Sequence, residues 1–186
     1  MNNIFLGFLL CFIQLNISFA ELKIMLLPDF IGYIFILRGA VKLLEESDYF
    51  IKVKSYIQIL ITYSLIRYGM EVFGLNDLLS GFFSVGISVV FAVIELAMIY
   101  DMIKGVADIE EKYHGYLDSE SLYSIWKVDV ILTLATYVVI IIQKIAQIVP
   151  IIVIVLAIIT FGINIYFLII LNQTRKQYSK LKEAKE

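Results

Sequence analysis

The chain reads as an all-α, polytopic integral membrane protein of about six transmembrane helices, and three observations carry that reading. Of 186 residues, 61% are hydrophobic and 17% charged, with a mean hydropathy of +0.89, whereas a soluble domain is about half apolar and a quarter charged. Apolar runs long enough to cross a hydrocarbon core of about 30 Å recur along the chain, and in hydrocarbon only a helix or a closed barrel satisfies its own backbone polar groups. Lysine and arginine concentrate between alternate runs and at the C-terminal end, the asymmetry expected of cytoplasmic segments.

The predicted spans cover about residues 4–20, 24–41, 55–73, 79–103, 125–147 and 149–171, within one membrane domain at 1–174 followed by a basic tail at 175–186. The first span has a second reading. Its end, Ser18-Phe19-Ala20, has the small residues of a signal-peptide cleavage site, although no Lys or Arg precedes the apolar run as a signal normally requires. The second span is short and carries Pro28 and Asp29 near one end. The fifth and sixth must be divided near Gln143–Pro150, because one helix through both would exceed any bilayer. Proline loses no hydrogen bond at the first position of a helix, so Pro28 and Pro150 are read as start signals.

Six spans with the amino terminus inside place Lys42, Lys52, Lys54, Lys104, Lys112, Lys127, Arg175, Lys176, Lys180, Lys182 and Lys185 in the cytoplasm, leaving Lys23 and Lys144 outside. The expected topology is therefore N-in and C-in. The largest cytoplasmic loop is predicted at 104–124, with Asp108, Glu110, Glu111, His114, Asp118 and Glu120, flanked by Tyr100, Tyr123 and Trp126 at the lipid boundary.

One stretch carries a resemblance. Leu27-Pro28-Asp29-Phe30-Ile31-Gly32-Tyr33, followed by Ile36-Leu37-Arg38-Gly39 and preceded by Gly7-Phe8-Leu9-Leu10 and Leu15-Asn16-Ile17, resembles a group of small multispanning membrane proteins of Firmicutes bacteria with no assigned activity. The likeness covers about the first quarter of the chain. It implies a bacterial plasma (inner) membrane location and brings no functional residue with it.

Charges inside apolar spans are the most informative residues, because each costs about 2.5–3.5 kcal/mol on insertion scales unless paired, hydrated or near an interface. Asp29, Arg38, Arg67, Glu71 and Glu95 qualify. At a rise of about 1.5 Å per residue, Asp29, Arg67 and Glu71 lie about 8, 9 and 3 Å from the outer ends of their spans, and Arg38 and Glu95 about 21 and 24 Å. The expectation is an outer layer, in which Arg67 pairs with Asp29 or Glu71, and an inner layer linking Arg38 to Glu95. Snorkelling to water is the alternative for Glu71, Arg38 and Glu95.

In the fourth span Ser80, Ser84, Ser88 and Ala92 recur every four residues and Glu95 continues the stripe. Small side chains permit close helix approach. This stripe and the pair Gly32 and Gly39 are predicted as matching packing faces that bring the second span against the fourth. A serine-lined polar path ending at a carboxylate is the other reading.

The chemical motifs exclude more than they assign. A single histidine, His114, rules out two-histidine zinc sites, and no phosphate-cradling glycine loop, nucleophile elbow or dense aspartate cluster is present. The lone Cys11 cannot form an internal disulfide. No catalytic residue, metal or cofactor is implied, and the scattered basic residues with a net charge of −2 exclude nucleic acid as a partner. The expected partners are the lipid bilayer and either another membrane protein or further copies of the chain. The expected function is a non-enzymatic accessory or scaffold component of a membrane complex; the alternative is a small oligomeric transporter or channel for a cation or small solute. A water-accessible Glu95 within the bundle would favour transport.

Overall fold

The structure is a computed structural model that describes residues 1–12, 16–19, 22–25, 28–75, 82–146 and 150–183. Its elements in chain order are α1 (Asn2–Phe12), β1 (Asn16–Phe19), β2 (Leu22–Met25), α2 (Asp29–Val41), α3 (Tyr49–Val72), α4 (Phe82–Tyr113), α5 (Ser119–Ala146) and α6 (Pro150–Glu183). Each helix packs on the next in sequence, and α1 also meets α6, so the six helices close into a ring. Three helical segments, Phe83–Tyr113, Ser119–Ile142 and Ile152–Glu183, are long and apolar enough to cross a membrane, and the chain is a helical membrane protein on that ground.

Four expected boundaries are corrected. Helix α1 stops at Phe12, and an antiparallel pair of four-residue strands, with Asn16 opposite Met25 and Phe19 opposite Leu22, stands where continuous spans at 4–20 and 24–41 were expected. Ile17 and Ile24, paired across it, are β-branched residues that suit a strand as well as a lipid-facing helix. Apolar content alone does not separate the two.

The predicted polar loop at 104–124 is instead the end of α4 and the start of α5, joined through His114–Asp118. Val106, Ile109, Leu117 and Leu122 are fully buried there, so the polar face conceals an apolar one. The predicted tail is likewise helical as far as Glu183, with Leu171, Thr174, Tyr178 and Leu181 recurring at helical spacing towards the bundle. Pro150 begins α6 as expected of a start signal, whereas Pro28 stands one residue before α2, with φ −69° and ψ 142°.

Two helix ends use the same backbone device. After α3, Gly74 at φ 66° lets its N–H donate to the Glu71 carbonyl (3.1 Å) and the Leu75 N–H to the Met70 carbonyl (2.8 Å). After α4, His114 takes the left-handed role at φ 49°, with its N–H on the Glu111 carbonyl and that of Gly115 on the Glu110 carbonyl, both 3.2 Å. The single histidine thus closes a helix. Glu110, one of the acids of the same segment, accepts the Leu117 and Ser119 N–H groups at 3.0 and 3.3 Å and holds the α4–α5 turn.

Met1, Lys42 and Lys182 line one concavity, so the chain's two ends meet at the same end of the ring, hereafter the basic end. There the Glu46 carboxylate, between α2 and α3, gathers three donors: Lys112 Nζ at 2.9 Å, Tyr113 Oη at 2.8 Å and, from α6, Tyr178 Oη at 3.4 Å. Burial by itself would raise the carboxyl pKa, but the hydrogen bonds from Lys112 and Tyr113 outweigh it and hold the group below its ordinary value. Stability from Glu46 is therefore present above the ordinary glutamate pKa and lost as pH falls through the lowered one. Glu46→Gln is expected to reduce stability by roughly 1 kcal/mol at neutral pH. Thermal unfolding in detergent across the acid range should also show a flatter pH dependence for the variant.

The buried core occupies the basic half of the ring. Phe50, Ile57, Met98, Met102, Ile109 and Leu122 have almost no exposed surface. In the opposite half the outer faces of α5 and α6 expose Ile131, Leu134, Val138, Ile154, Ile158 and Phe161, a distribution that suits lipid rather than water as the surrounding solvent.

Candidate functional site

Above that core the ring encloses polar space. A cavity of about 290 Å³ is lined by the start of α2 (Asp29, Tyr33), one face of α3 (Tyr63, Ser64, Arg67, Tyr68, Glu71), one face of α4 (Ser88, Phe91, Ala92, Glu95) and Tyr137 of α5. Four of the five charges expected from sequence to lie within spans, Asp29, Arg67, Glu71 and Glu95, meet in this one space. Helical geometry explains the convergence. Ser88, Ala92 and Glu95 share a face at spacings of four and three, as do Ser64, Arg67 and Glu71 on α3.

Local packing sets the depth of the cavity. The Tyr63 and Phe91 rings stack in parallel at 3.4 Å, which aligns α3 with α4, and the Arg67 guanidinium lies over Tyr63 at 5.9 Å from its centroid. Phe30 meets Tyr68 edge to face at 5.7 Å and brings the start of α2 against α3. Arg67 and Glu71 are then about 6 Å apart along α3, and Glu95 lies about 11 Å further into α4 than Ser88. Carboxylates stand at both levels of the cavity and aromatic rings form much of the wall between them.

Glu95 is the pivotal group. Its Oε1 accepts a hydrogen bond from Tyr33 Oη at 3.2 Å, and the residue also lines a second cavity of about 270 Å³ with Trp126, Asp129, Thr133, Tyr137 and Asn164. Ala92, Glu95 and Tyr137 are common to both walls and so partition the two spaces. Trp126 Nε1 donates to the Leu96 carbonyl at 2.9 Å and Tyr137 Oη to the Ser88 carbonyl at 2.9 Å, which ties α5 to α4 on either side of Glu95. Towards the basic end α4 continues from Glu95 into the buried side chains of Met98, Met102 and Val106.

Two sequence expectations are corrected by these contacts. The inner pairing of Arg38 with Glu95 does not form: Arg38 lies over the Phe35 ring at 5.9 Å, and Glu95 takes its hydrogen bond from Tyr33. Equal depth placed the two charges at one level but did not set which way each helix face turns. The glycine face of α2 also packs on α1 and not on α4. A Cβ at Gly32 would stand 2.8 Å from the Gly7 carbonyl oxygen, and one at Gly39 would stand 2.8 Å from the Ile4 nitrogen. Gly7 supplies the counterpart in this close antiparallel pair.

Of the small-residue stripe, Ser88 and Ala92 line the cavity, the Ser84 carbonyl accepts the Ser88 hydroxyl at 3.0 Å, and Ser80 lies outside the described residues. Sequence reading passed over Asp129, Tyr33 and Tyr137. Asp129 lies close to the start of the fifth predicted span and is not among the five candidate charges. Tyr33, Tyr63 and Tyr137 carry no charge to mark them in an apolar run, yet all three line the cavity. Among the described residues no group of three or more His, Cys, Asp or Glu side chains is arranged to hold a metal ion. No protein-family model, curated protein or solved structure matches the chain.

Proposed function

We propose that this chain is a membrane carrier for a small cationic or ammonium-bearing solute, with Glu95 as its central binding carboxylate. The observation that supports this reading is the cavity itself, where three carboxyl groups against one guanidinium share a lining rich in aromatic rings. Carboxylates attract a cation in a low dielectric, and ring faces stabilise an alkylated ammonium by the same electrostatics. At about 290 Å³ the space suits a small organic molecule, since an apolar cavity of about 150 Å³ holds benzene.

In the proposed topology the basic end faces the cytoplasm of a bacterial cell, because Lys42, Lys112, Arg175, Lys176, Lys180 and Lys182 gather there. Helices α3 to α6 cross the membrane, and the shorter α1 and α2 enter it together from the basic end as a closely packed antiparallel pair. The apolar core beneath Glu95 is the closed gate of a state loaded from outside, and passage requires the α1–α2 pair or α4 to shift against the rest. Tyr33 couples the two elements through its hydrogen bond to Glu95.

Uptake into proteoliposomes is the direct test. A small ammonium ion such as choline should be accumulated and an anion of similar size excluded. Absence of flux, or a preference for the anion, would return the chain to the accessory or scaffold role. Tyr33→Phe removes one hydrogen bond of about 1 kcal/mol and should raise the half-saturating concentration roughly fivefold while leaving the protein folded. An unchanged value would show that Tyr33 does not position the carboxylate.

A further inference from the structure

At the basic end, separate from the polar cavities, a concavity of about 270 Å³ lies between the start of α1, the end of α2 and the last turns of α6. Three cations line it, Lys42, Arg175 and Lys182, with Tyr178 and Ser179 between them. Arg175 is held in place by the Phe5 ring, 4.6 Å from its guanidinium carbon to the centroid. The one carboxylate in the lining, Glu183, accepts the Ser179 hydroxyl at 3.3 Å, and none of the three cations forms an ion pair with another described residue. Like charges drawn from the end of α2 and the last turns of α6 into one hollow call for an anion.

Depth indicates its source. If the hydrocarbon-spanning part of α6 occupies Ile152–Leu171, Arg175 stands about 6 Å and Lys182 about 16 Å beyond it, the first at the level of lipid headgroups and the second in the water past them, from which its long side chain reaches back. From these observations we infer that the hollow binds the phosphate-bearing headgroup of an anionic lipid of the cytoplasmic leaflet, with Arg175 and Lys42 on the phosphate and Lys182 capping it. A basic pocket between membrane helices on that side is suited to such a headgroup. The inference rests on the membrane reading and the inside placement of the basic end, and is independent of any transported solute.

The test uses the full chain in detergent, with phosphatidylglycerol, phosphatidylcholine or inorganic phosphate added, and lipid retention read by native mass spectrometry beside thermal unfolding. Phosphatidylglycerol should be retained and should raise the unfolding temperature; phosphatidylcholine should do neither. Each of Lys42→Gln, Arg175→Gln and Lys182→Gln should weaken retention about fivefold, the worth of one cation near an anionic surface, while Lys180→Gln should not. Fluorescence of Trp126, the single tryptophan, checks that each variant is folded, and Arg175→Lys keeps the charge if Arg175→Gln fails that check. Equal retention of the two lipids, or undiminished phosphatidylglycerol retention in a folded variant, would overturn the inference. Inorganic phosphate acting as strongly as phosphatidylglycerol would move the source from lipid to a soluble phosphate and overturn the headgroup assignment.

Discussion

Glu95→Gln is expected to lower flux of the cationic solute by about a hundredfold or more, because removing one member of a desolvated charge pair costs roughly 3 kcal/mol or more. Glutamine preserves the size of the side chain and can still accept from Tyr33 Oη, so the bundle should fold with little change in unfolding temperature. Only a carrier role for the carboxylate combines those two results. The measurement is initial uptake into proteoliposomes at matched protein density, together with thermal unfolding of the same preparation. Glu71→Gln, in the last turn of α3, serves as the comparison. It removes a carboxylate from the same cavity at its margin and should cost less than tenfold, since water screens it better. A Glu95→Gln protein that transports as well as the wild type would eliminate the proposed function while leaving the fold intact.

The largest stability effect is expected from Gly7→Ala. A Cβ built there would lie against the Ile36 side chain, 2.6 Å from the Gly32 carbonyl oxygen and 2.7 Å from the Ile36 nitrogen. Two of those neighbours are backbone atoms of α2, which cannot turn aside as a flexible side chain can. The helices must separate, and the surfaces they bury come apart together. We expect a loss of roughly 2–3 kcal/mol, in the range for forcing a methyl group into a well-packed site. Gly32→Ala should behave similarly, as its Cβ would meet Cys11 Sγ and the Gly7 carbonyl oxygen. Gly86→Ala and Gly162→Ala meet nothing within 4 Å and should instead be neutral or stabilising by roughly 0.5–1 kcal/mol, the usual preference for alanine within a helix. Comparing unfolding temperatures across the four variants separates close packing from general intolerance of glycine replacement. Equal effects at all four positions would show that α1 and α2 are not in close contact.

The helical membrane class and the polar residues worth attention were legible from composition and spacing. Apolar length identifies a helix that suits hydrocarbon, and a charge in such a run stands out against its cost of insertion. Asp29, Arg67, Glu71 and Glu95 were therefore all noticed, and all line one cavity. Their grouping was harder to read. Depth along a helix follows from counting residues, but the direction of a side chain around the axis depends on which neighbour the helix packs against. Arg38 and Glu95 share a depth and still do not meet. Gly32 and Gly39 form a close-approach face, yet the complementary glycine lies on α1.

Local pattern likewise misjudged the ends of helices. The acids of 104–124 suggested a loop because charge is the stronger visual signal, while Val106, Ile109, Leu117 and Leu122 determine the packing. Asp129 gains its place only in three dimensions, where it lines a second cavity together with Glu95.

What the amino-acid sequence determined by itself is the solvent this chain requires and the few polar groups that solvent must tolerate, for both follow from summing transfer costs residue by residue. Only the tertiary structure decided which polar groups share a space, because helix rotation, ring closure by α1 against α6 and the partition at Glu95 arise from many side chains packing at once. Those are pairwise quantities between distant residues, and a linear pattern carries no record of them.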